Sequence, residues 1–371
     1  MGMEGLKNTL PDLHSAGVSD KELFKTKPED LSLEEANNLE EGLRIKKFKE
    51  GYKRIEKSSW PVVTNFNDYK FRAHSIGHIM SGIPKPLTTN QEEEYNVLLL
   101  RHKGEGKALT LKQIEKLGDY SKRKNRKPFL TDGAKTYLEK LVFQEITGRK
   151  KDITAKYLDK GIQVEEKSIT LYSEVTGQLF LKNQERKENE YFSGECDNAE
   201  EKIRDIKSSW EYETFPIRER EIPSKIYGWQ LDVYMDLWDF KESELIYCLV
   251  DTPYKLISDE LRRMDWKYNI FNSEGNVRND SIDLVVETVC NLIFTEKGLE
   301  EFCEQSESVR LEWFIGVFKE IPEEIRIKVF SHNYCTKRNQ QLKTMAKLAR
   351  DYMNSLIEQL GEGILKFQNT A

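Results

Sequence analysis

Residues 194 to 210 read GECDNAEEKIRDIKSSW, a pattern that predicts two short strands joined by a polar turn. Alternate side chains of a strand point to opposite faces, so Asp205 and Lys207 share one face while Ile206 points into the other layer. The turn returns the second strand beside the end of the first, which carries Asp197. We therefore expect Asp197 and Asp205 to lie close together.

Two neighbouring carboxylates on a half-buried sheet repel each other and lose hydration. A bound cation relieves both effects, and oxygen ligands suit Mg2+, with Mn2+ as the alternative ion. A lysine two residues along the strand can orient or deprotonate a water next to such a metal, which is the equipment for hydrolysing a phosphodiester. The competing interpretation is a surface hairpin with solvated charges, because D-x-K triplets are common in a chain that is 33% charged.

The chain has 371 residues, a formal net charge of -6 and five dispersed cysteines. Its length permits a substantial core, either as one large domain with additions or as two domains. The acidic balance gives no global nucleic-acid signature, so contacts with DNA must come from local basic patches. The cysteines form no C-x-x-C pair, which argues for a reducing cytoplasm and against a zinc ribbon. No apolar run is long enough to span a membrane, and we expect a cytoplasmic protein without a membrane partner.

Residues 1 to 68 are strongly charged and contain a capping-box pattern, Ser32-x-x-Glu35, which predicts the start of a helix. We interpret them as a charged helical N-terminal extension, and residues 69 to 371 as the main domain. A partner or oligomer contact and a solvated appendage are both compatible with this composition.

A helix is predicted from about Ile153 to Thr176, and Gly177 ends it. Glycine at position 161 costs about 1 kcal/mol in a helix interior and predicts the close approach of another backbone. The predicted inward stripe includes a carboxylate, which needs a cation or a strong donor if it is buried. The residues of this stripe are Leu158, Ile162, Glu165, Ile169 and Tyr172.

A second predicted helix, from Ser224 to Trp238, carries Gln230 and Tyr234 on one face because they are four residues apart. They place an amide beside a phenol, although a core tyrosine with an incidental glutamine is the alternative. Residues 244 to 251 form a continuous apolar run that predicts a buried strand.

Two groups of basic or polar residues are candidate phosphate contacts. Arg72 and Ser75 lie near a predicted helix start, where Ser75 is a candidate N-cap, and they could hold a phosphate. The basic run from Lys122 to Lys127 could contact a DNA backbone, although such runs are also typical of solvated loops.

Taken in order along the chain, these patterns resemble the motifs of the PD-(D/E)XK nuclease superfamily, in particular phage exonucleases of the lambda-exonuclease and YqaJ type with RecB-like motifs. The resemblance covers roughly four-fifths of the chain. Its motifs are F-R-x-x-S-x-G-x-I-M from Phe71, G-x-x-x-E ending at Glu165, G-x-x-D ending at Asp197, D-I-K from Asp205 and Q-x-x-x-Y from Gln230. The chain departs from the family at Glu195-Cys196, where relatives often carry Thr-Pro, which predicts a less rigid segment before Asp197.

The resemblance implies an α/β, restriction-endonuclease-like core with a mixed central sheet flanked by helices. Its implied ligands for one or two Mg2+ ions are Glu165, Asp197, Asp205 and the main-chain carbonyl of Ile206. It further implies that Lys207 orients or activates the attacking water, and that Gln230 and Tyr234 support the site and touch the DNA phosphate. Arg72 with Ser75 is our candidate for holding the 5′-phosphate.

Some relatives carry an iron-sulfur cluster held by four cysteines, three of them closely spaced near the C-terminus. Cys290, Cys303 and Cys335 are too far apart for this arrangement, so we expect no iron-sulfur cluster.

The implied function is a Mg2+-dependent DNA exonuclease that acts on duplex DNA ends, 5′ to 3′, in phage or prophage recombination. A homo-oligomer and a single-strand annealing protein as partner are further expectations from the resemblance. Two alternatives remain open at this point: an endonuclease on the same core, and an inactive DNA-binding or assembly protein.

Overall fold

The structure is a computed structural model that describes residue 63, residues 65 to 149 and residues 155 to 370, with side chains as far as residue 361. These residues belong to one compact unit, Val63–Ala371. The predicted extension at residues 1 to 68 falls almost entirely outside the described residues, so its boundary and helical character stay predictions. No helix in the described part of the chain is long and apolar enough to cross a membrane.

Two small sheets lie at the centre of the unit. The first contains β1 (Phe71–Arg72), β2 (Lys187–Glu188) and β3 (Phe192–Gly194) in the order β1-β3-β2. The second contains β4 (Asn198–Ala199), β5 (Ile203–Ser208), β6 (Glu242–Cys248) and β7 (Ile327–Asn333), in that order. The pair β5 and β6 is parallel, with Asp205 opposite Leu245, and the pairs on either side are antiparallel. The second sheet is therefore mixed, as the sequence predicted.

Helices surround these sheets. A 3-10 helix, Ala73–Gly82, follows β1. The α-helices among the described residues are α1 (Thr89–His102), α2 (Leu111–Lys124), α3 (Asp132–Thr147), α4 (Lys156–Thr176), α5 (Lys225–Trp238), α6 (Tyr254–Tyr268), α7 (Ile282–Leu292), α8 (Glu296–Gln305) and α9 (Thr336–Thr370). The predicted helices at 153 to 176 and 224 to 238 correspond to α4 and α5. Gly177 ends α4 in the left-handed conformation, with φ of 66°, as its position after the helix predicted. The predicted α/β class with helices around a mixed sheet is confirmed.

Strand β5 separates two packed layers. Ile206 belongs to a hydrophobic cluster with Val164 and Ile169 of α4 and with Ile246 of β6. On the opposite face, Ile203 joins a larger cluster that includes residues of the 3-10 helix, α3, α5 and α9. A further cluster joins α6, α7 and α8. The strand that carries the D-x-K pattern is thus held between α4 and α5.

We predict that Gly82→Ala destabilises the protein, because a Cβ at this position would lie 1.7 Å from the carbonyl oxygen of Phe129. Backbone must move to relieve the overlap, at about 1–3 kcal/mol. Gly118→Ala in α2 is the matched control, since no atom lies within 4 Å of its Cβ and alanine favours the helix by about 0.5–1 kcal/mol. Urea denaturation should shift in opposite directions for the two variants; equal shifts would contradict the packing described here.

Candidate active site

The D-x-K pattern lies on β5 with the predicted alternation of faces. Asp205 faces α5, where Gln230 Nε2 donates a hydrogen bond to Asp205 Oδ1 over 3.0 Å. Lys207 faces the same way, with its Nζ 5.5 Å from the ring centroid of Tyr227. Ile206 packs against α4 on the other face. The strand therefore presents its charged residues to one layer and its apolar residue to the other.

Asp197 lies between β3 and β4, and its carboxylate contacts β5. Its Oδ2 accepts a hydrogen bond from the backbone N–H of Ile206 over 2.5 Å, which places its carboxylate next to that of Asp205. Burial, and then the charge of Asp205, raises the pKa of Asp197 to about 7, while Lys207 and the Ile206 N–H act in the opposite direction. The structure thus brings the two aspartates together, and their repulsion is large enough to affect ionisation.

Lys207 is paired with one of these carboxylates. Its Nζ lies 2.6 Å from Asp205 Oδ2, and its side chain is 27% exposed. Burial opposes the charged form, but the carboxylates of Asp205 and Asp197 outweigh it and raise the pKa of Lys207 above its ordinary value. The residue is therefore a stable ammonium at neutral pH, suited to orienting a water or a phosphate and poorly suited to removing a proton.

Gln230 and Tyr234 lie behind Asp205. Gln230 Nε2 also lies 3.0 Å from the Tyr234 hydroxyl, and both side chains are buried, with 4% of each residue exposed. Neither lines the cleft described below. They hold Asp205 in place from within the protein, whereas the predicted contact with a DNA phosphate finds no support in their burial.

Gly194 is needed because the tyrosine ring approaches it closely. A Cβ at Gly194 would lie 2.7 Å from Tyr234 Cε1, so a larger residue would push the ring away from Gln230. This explains the glycine of the G-x-x-D pattern in physical terms.

The segment before Asp197 is fixed by Asn183. The Asn183 backbone N–H donates to the Asp197 carbonyl over 2.7 Å, and its Nδ2 donates to the Cys196 carbonyl over 3.0 Å. These two hydrogen bonds hold the carbonyl oxygens of Cys196 and Asp197, and the lower rigidity predicted from Glu195-Cys196 stays a prediction.

An open cleft of about 620 Å³ runs past Asp197, whereas the buried Asp205 does not line it. Glu165 from α4 lines it together with Asp197, Ile206 and Lys207. Glu165 is half-buried, and its Oε2 accepts a hydrogen bond from Lys182 Nζ over 2.7 Å, so a lysine supplies the strong donor that the sequence required. Within residues 63, 65–149 and 155–370, no three His, Cys, Asp or Glu residues form a group that could hold a metal ion. The structure brings Asp197 and Asp205 together and places Glu165 on the cleft that Asp197 lines.

The predicted inward stripe of α4 is wrong in its first half. Leu158 and Ile162 are 46% and 76% exposed and line the cleft, because this half of the helix borders open space. An added Cβ at Gly161 meets nothing within 4 Å, so no backbone approaches it. The buried face of α4 is instead formed by Lys160, Val164, Ser168, Ile169, Leu171 and Tyr172.

Lys160 is a residue that the sequence analysis missed. It is fully buried, and its Nζ donates a hydrogen bond over 3.0 Å to the carbonyl of Trp210, which lines the cleft. Burial lowers the pKa of Lys160 to about 7, although Asp251 and Glu211 act in the opposite direction. The helical spacing of Lys160, Val164 and Ser168 could have indicated this buried face, but a lysine is rarely found on the buried face of a helix.

Arg72 and Ser75 do not line the cleft, and the Ser75 hydroxyl donates to the Arg72 carbonyl over 3.1 Å. The N-cap of the 3-10 helix is Arg72, so the assignment of Ser75 as N-cap is wrong. Burial lowers the pKa of His74, and the charges of Arg72 and Lys207 lower it further, which indicates basic surroundings. In the basic run at the end of α2, Lys124 pairs with Glu92 over 2.8 Å. Phosphate binding by either group stays a prediction.

No protein-family model and no curated protein sequence matches this chain. Solved structures to which it is similar include two exonucleases. A phage related exonuclease from Haemophilus somnus 129PT is 21% identical, over 80% of this chain and 99% of that one, with a TM-score of 0.49. An alkaline exonuclease from Laribacter hongkongensis is 11% identical, over 64% of this chain and 88% of that one, with a TM-score of 0.39, and its complex with dAMP gives 0.38.

We predict that Asp197→Asn flattens the pH dependence of stability. Because the pKa of Asp197 in the folded protein lies above its ordinary value of 3.8, the folded state binds more protons than the unfolded state up to about pH 7. The free energy of unfolding therefore falls as pH rises through this window. Thermal denaturation in the presence of a chelator should give similar stability for the wild type and the variant near the lower end of this pH range. Above about pH 7 the variant should be the more stable of the two. Parallel curves would contradict the pKa assigned to this carboxyl.

Proposed function

We propose that this protein is a Mg2+-dependent DNA exonuclease that hydrolyses phosphodiester bonds from the ends of duplex DNA. One observation carries the proposal: Glu165, Asp197 and Lys207 line one cleft, and the buried Asp205 lies next to it, paired with Lys207 Nζ over 2.6 Å. The half-buried Asp197 and the buried Asp205 lie next to each other with one ammonium paired to Asp205, and such carboxylates favour a divalent cation, because it offsets their repulsion. Metal-dependent phosphodiester hydrolysis uses this combination of acids and lysine.

The donor set fits a hard divalent cation. Asp205 Oδ2 is buried and lies 2.6 Å from Lys207 Nζ, and a carboxylate oxygen has a second acceptor position that a cation could take. All of the donors are oxygens, which is the set that Mg2+ prefers and Mn2+ accepts. The residues that would hold the ion are Asp197, Asp205, Glu165 and Ile206 through its main-chain carbonyl. A bound ion would supply positive charge to the phosphate and activate a water for attack.

The surrounding side chains hold this arrangement in place. Gln230 fixes the rotamer of Asp205 through the 3.0 Å hydrogen bond, and Tyr234 fixes Gln230. Lys207 keeps its charge and can donate hydrogen bonds to a water or to a phosphate oxygen in the cleft. Such fixed donors stabilise charge that develops during hydrolysis.

The finer parts of the proposal rest on the motif resemblance. They are 5′ to 3′ polarity, a role in phage or prophage recombination, a homo-oligomeric assembly and a single-strand annealing protein as partner. Binding of the 5′-phosphate by Arg72 and Ser75 belongs to the same set, and the basic surroundings of His74 are compatible with it.

We predict that Asp205→Asn and Lys207→Ala each lower the rate of Mg2+-dependent cleavage by at least about 100-fold while the fold is retained. The assay uses end-labelled linear duplexes, with closed circular DNA as the substrate that only an endonuclease would cut. Asp239→Asn and Lys241→Ala are matched controls, because these residues form an ion pair of similar length, 2.7 Å, at the surface. Wild-type rates in the Asp205 or Lys207 variant would remove the basis of the proposal.

We predict that Glu165→Gln raises the Mg2+ concentration needed for half-maximal cleavage by about 10-fold, since a neutral amide is a weaker ligand than a carboxylate. Calorimetric titration with Mn2+ should show a matching loss of affinity. Glu166→Gln is the control, because its exposed side chain follows Glu165 in the chain and does not line the cleft. Equal metal affinity in both variants would exclude Glu165 as a ligand.

A further inference from the structure

We propose that the Ser209 hydroxyl binds a phosphate oxygen of the DNA strand that lies beside Lys207. The inference rests on the proposed nuclease function and adds a substrate-binding residue to it. Ser209 directly follows β5, lines the cleft and is 5% exposed.

The alternation of β5 places Ser209 on the same face as the acids and the lysine. Ser208 points to α4, where its Oγ lies 2.8 Å from Ser168 Oγ, whereas Lys207 points to α5. The backbone N–H of Ser209 donates to the Cys248 carbonyl over 2.9 Å, which extends the pairing of β5 with β6 by one residue. Ser209 is therefore two residues beyond Lys207 on one strand face, at about 7 Å.

The hydroxyl of Ser209 is buried without a partner. Its Oγ makes no hydrogen bond to any described residue, although the hydroxyl of Ser208 next to it is paired. A buried hydroxyl without a hydrogen bond lowers stability, and native proteins retain few such groups. An acceptor that arrives with a ligand would satisfy it.

The position of Ser209 on the cleft indicates which acceptor this is. Lys156 and Lys207 line the same cleft, together with the acids Glu165, Asp197 and Glu211, so two ammonium groups of the lining can accompany an anion that Ser209 binds. A phosphate oxygen is an anionic acceptor, and the proposed substrate carries one at every linkage. Rotation about the Cα–Cβ bond moves the Ser209 oxygen between staggered positions and can turn it from below the surface toward the cleft.

The test compares Ser209→Ala with Ser168→Ala, which deletes the same atom from a buried and paired serine that does not line the cleft. Thermal denaturation is measured together with binding of a 5′-phosphorylated duplex oligonucleotide in Ca2+. We expect Ser209→Ala to keep or raise the melting temperature and to weaken DNA binding by about 10- to 100-fold, as for a lost hydrogen bond to a charged group. Ser168→Ala should lower the melting temperature and leave DNA affinity unchanged.

Duplexes with one neutral methylphosphonate linkage identify the phosphate that is bound. The effect of Ser209→Ala should disappear at one linkage, which is either the scissile phosphate or its neighbour, and persist at the others. If the variant binds DNA like the wild type, or if its effect is the same at every linkage, the inference is overturned while the nuclease function stands. If the wild-type protein binds no DNA, both proposals fail.

Discussion

Repulsion between the carboxylates of Asp197 and Asp205 is the constraint on which the rest of the structure depends. Burial together with the charge of Asp205 raises the pKa of Asp197 to about 7, so the site is unfavourable for folding unless positive charge accompanies it. Lys207 supplies one such charge. The hydrophobic clusters on both faces of β5 must supply the stability that this pair removes.

The two faces of the inner strand β5 have different roles. The face toward α4 is packed by Ile206, and the face toward α5 carries Asp205 and Lys207. Each supporting contact then limits movement of a carboxylate, because Gln230 holds Asp205 and Asn183 holds the backbone around Asp197. Neighbouring residues of the strand therefore serve different purposes: Ile206 packs against α4, while Asp205 and Lys207 on either side of it face the candidate site.

Sequence patterns predicted the features that depend on neighbours along the chain. Local geometry places Asp205 and Lys207 on one face of β5, and it ends α4 at Gly177. Periodicity failed where a helix face meets open space, because spacing identifies a face but not what it contacts; Leu158 and Ile162 therefore line a cleft. The partners of Glu165 and Lys160 come from distant segments, which no local pattern specifies.

The pKa values of the buried Lys160 and the cleft lysine Lys207 are shifted in opposite directions. Burial lowers the pKa of Lys160 to about 7, whereas the two aspartates raise that of Lys207. As pH rises, Lys160 loses its proton before Lys207 does, and the neutral amine still has N–H donors for the Trp210 carbonyl. The contact between Lys160 and the cleft-lining Trp210 can therefore persist at a pH at which Lys207 still carries its charge beside Asp205.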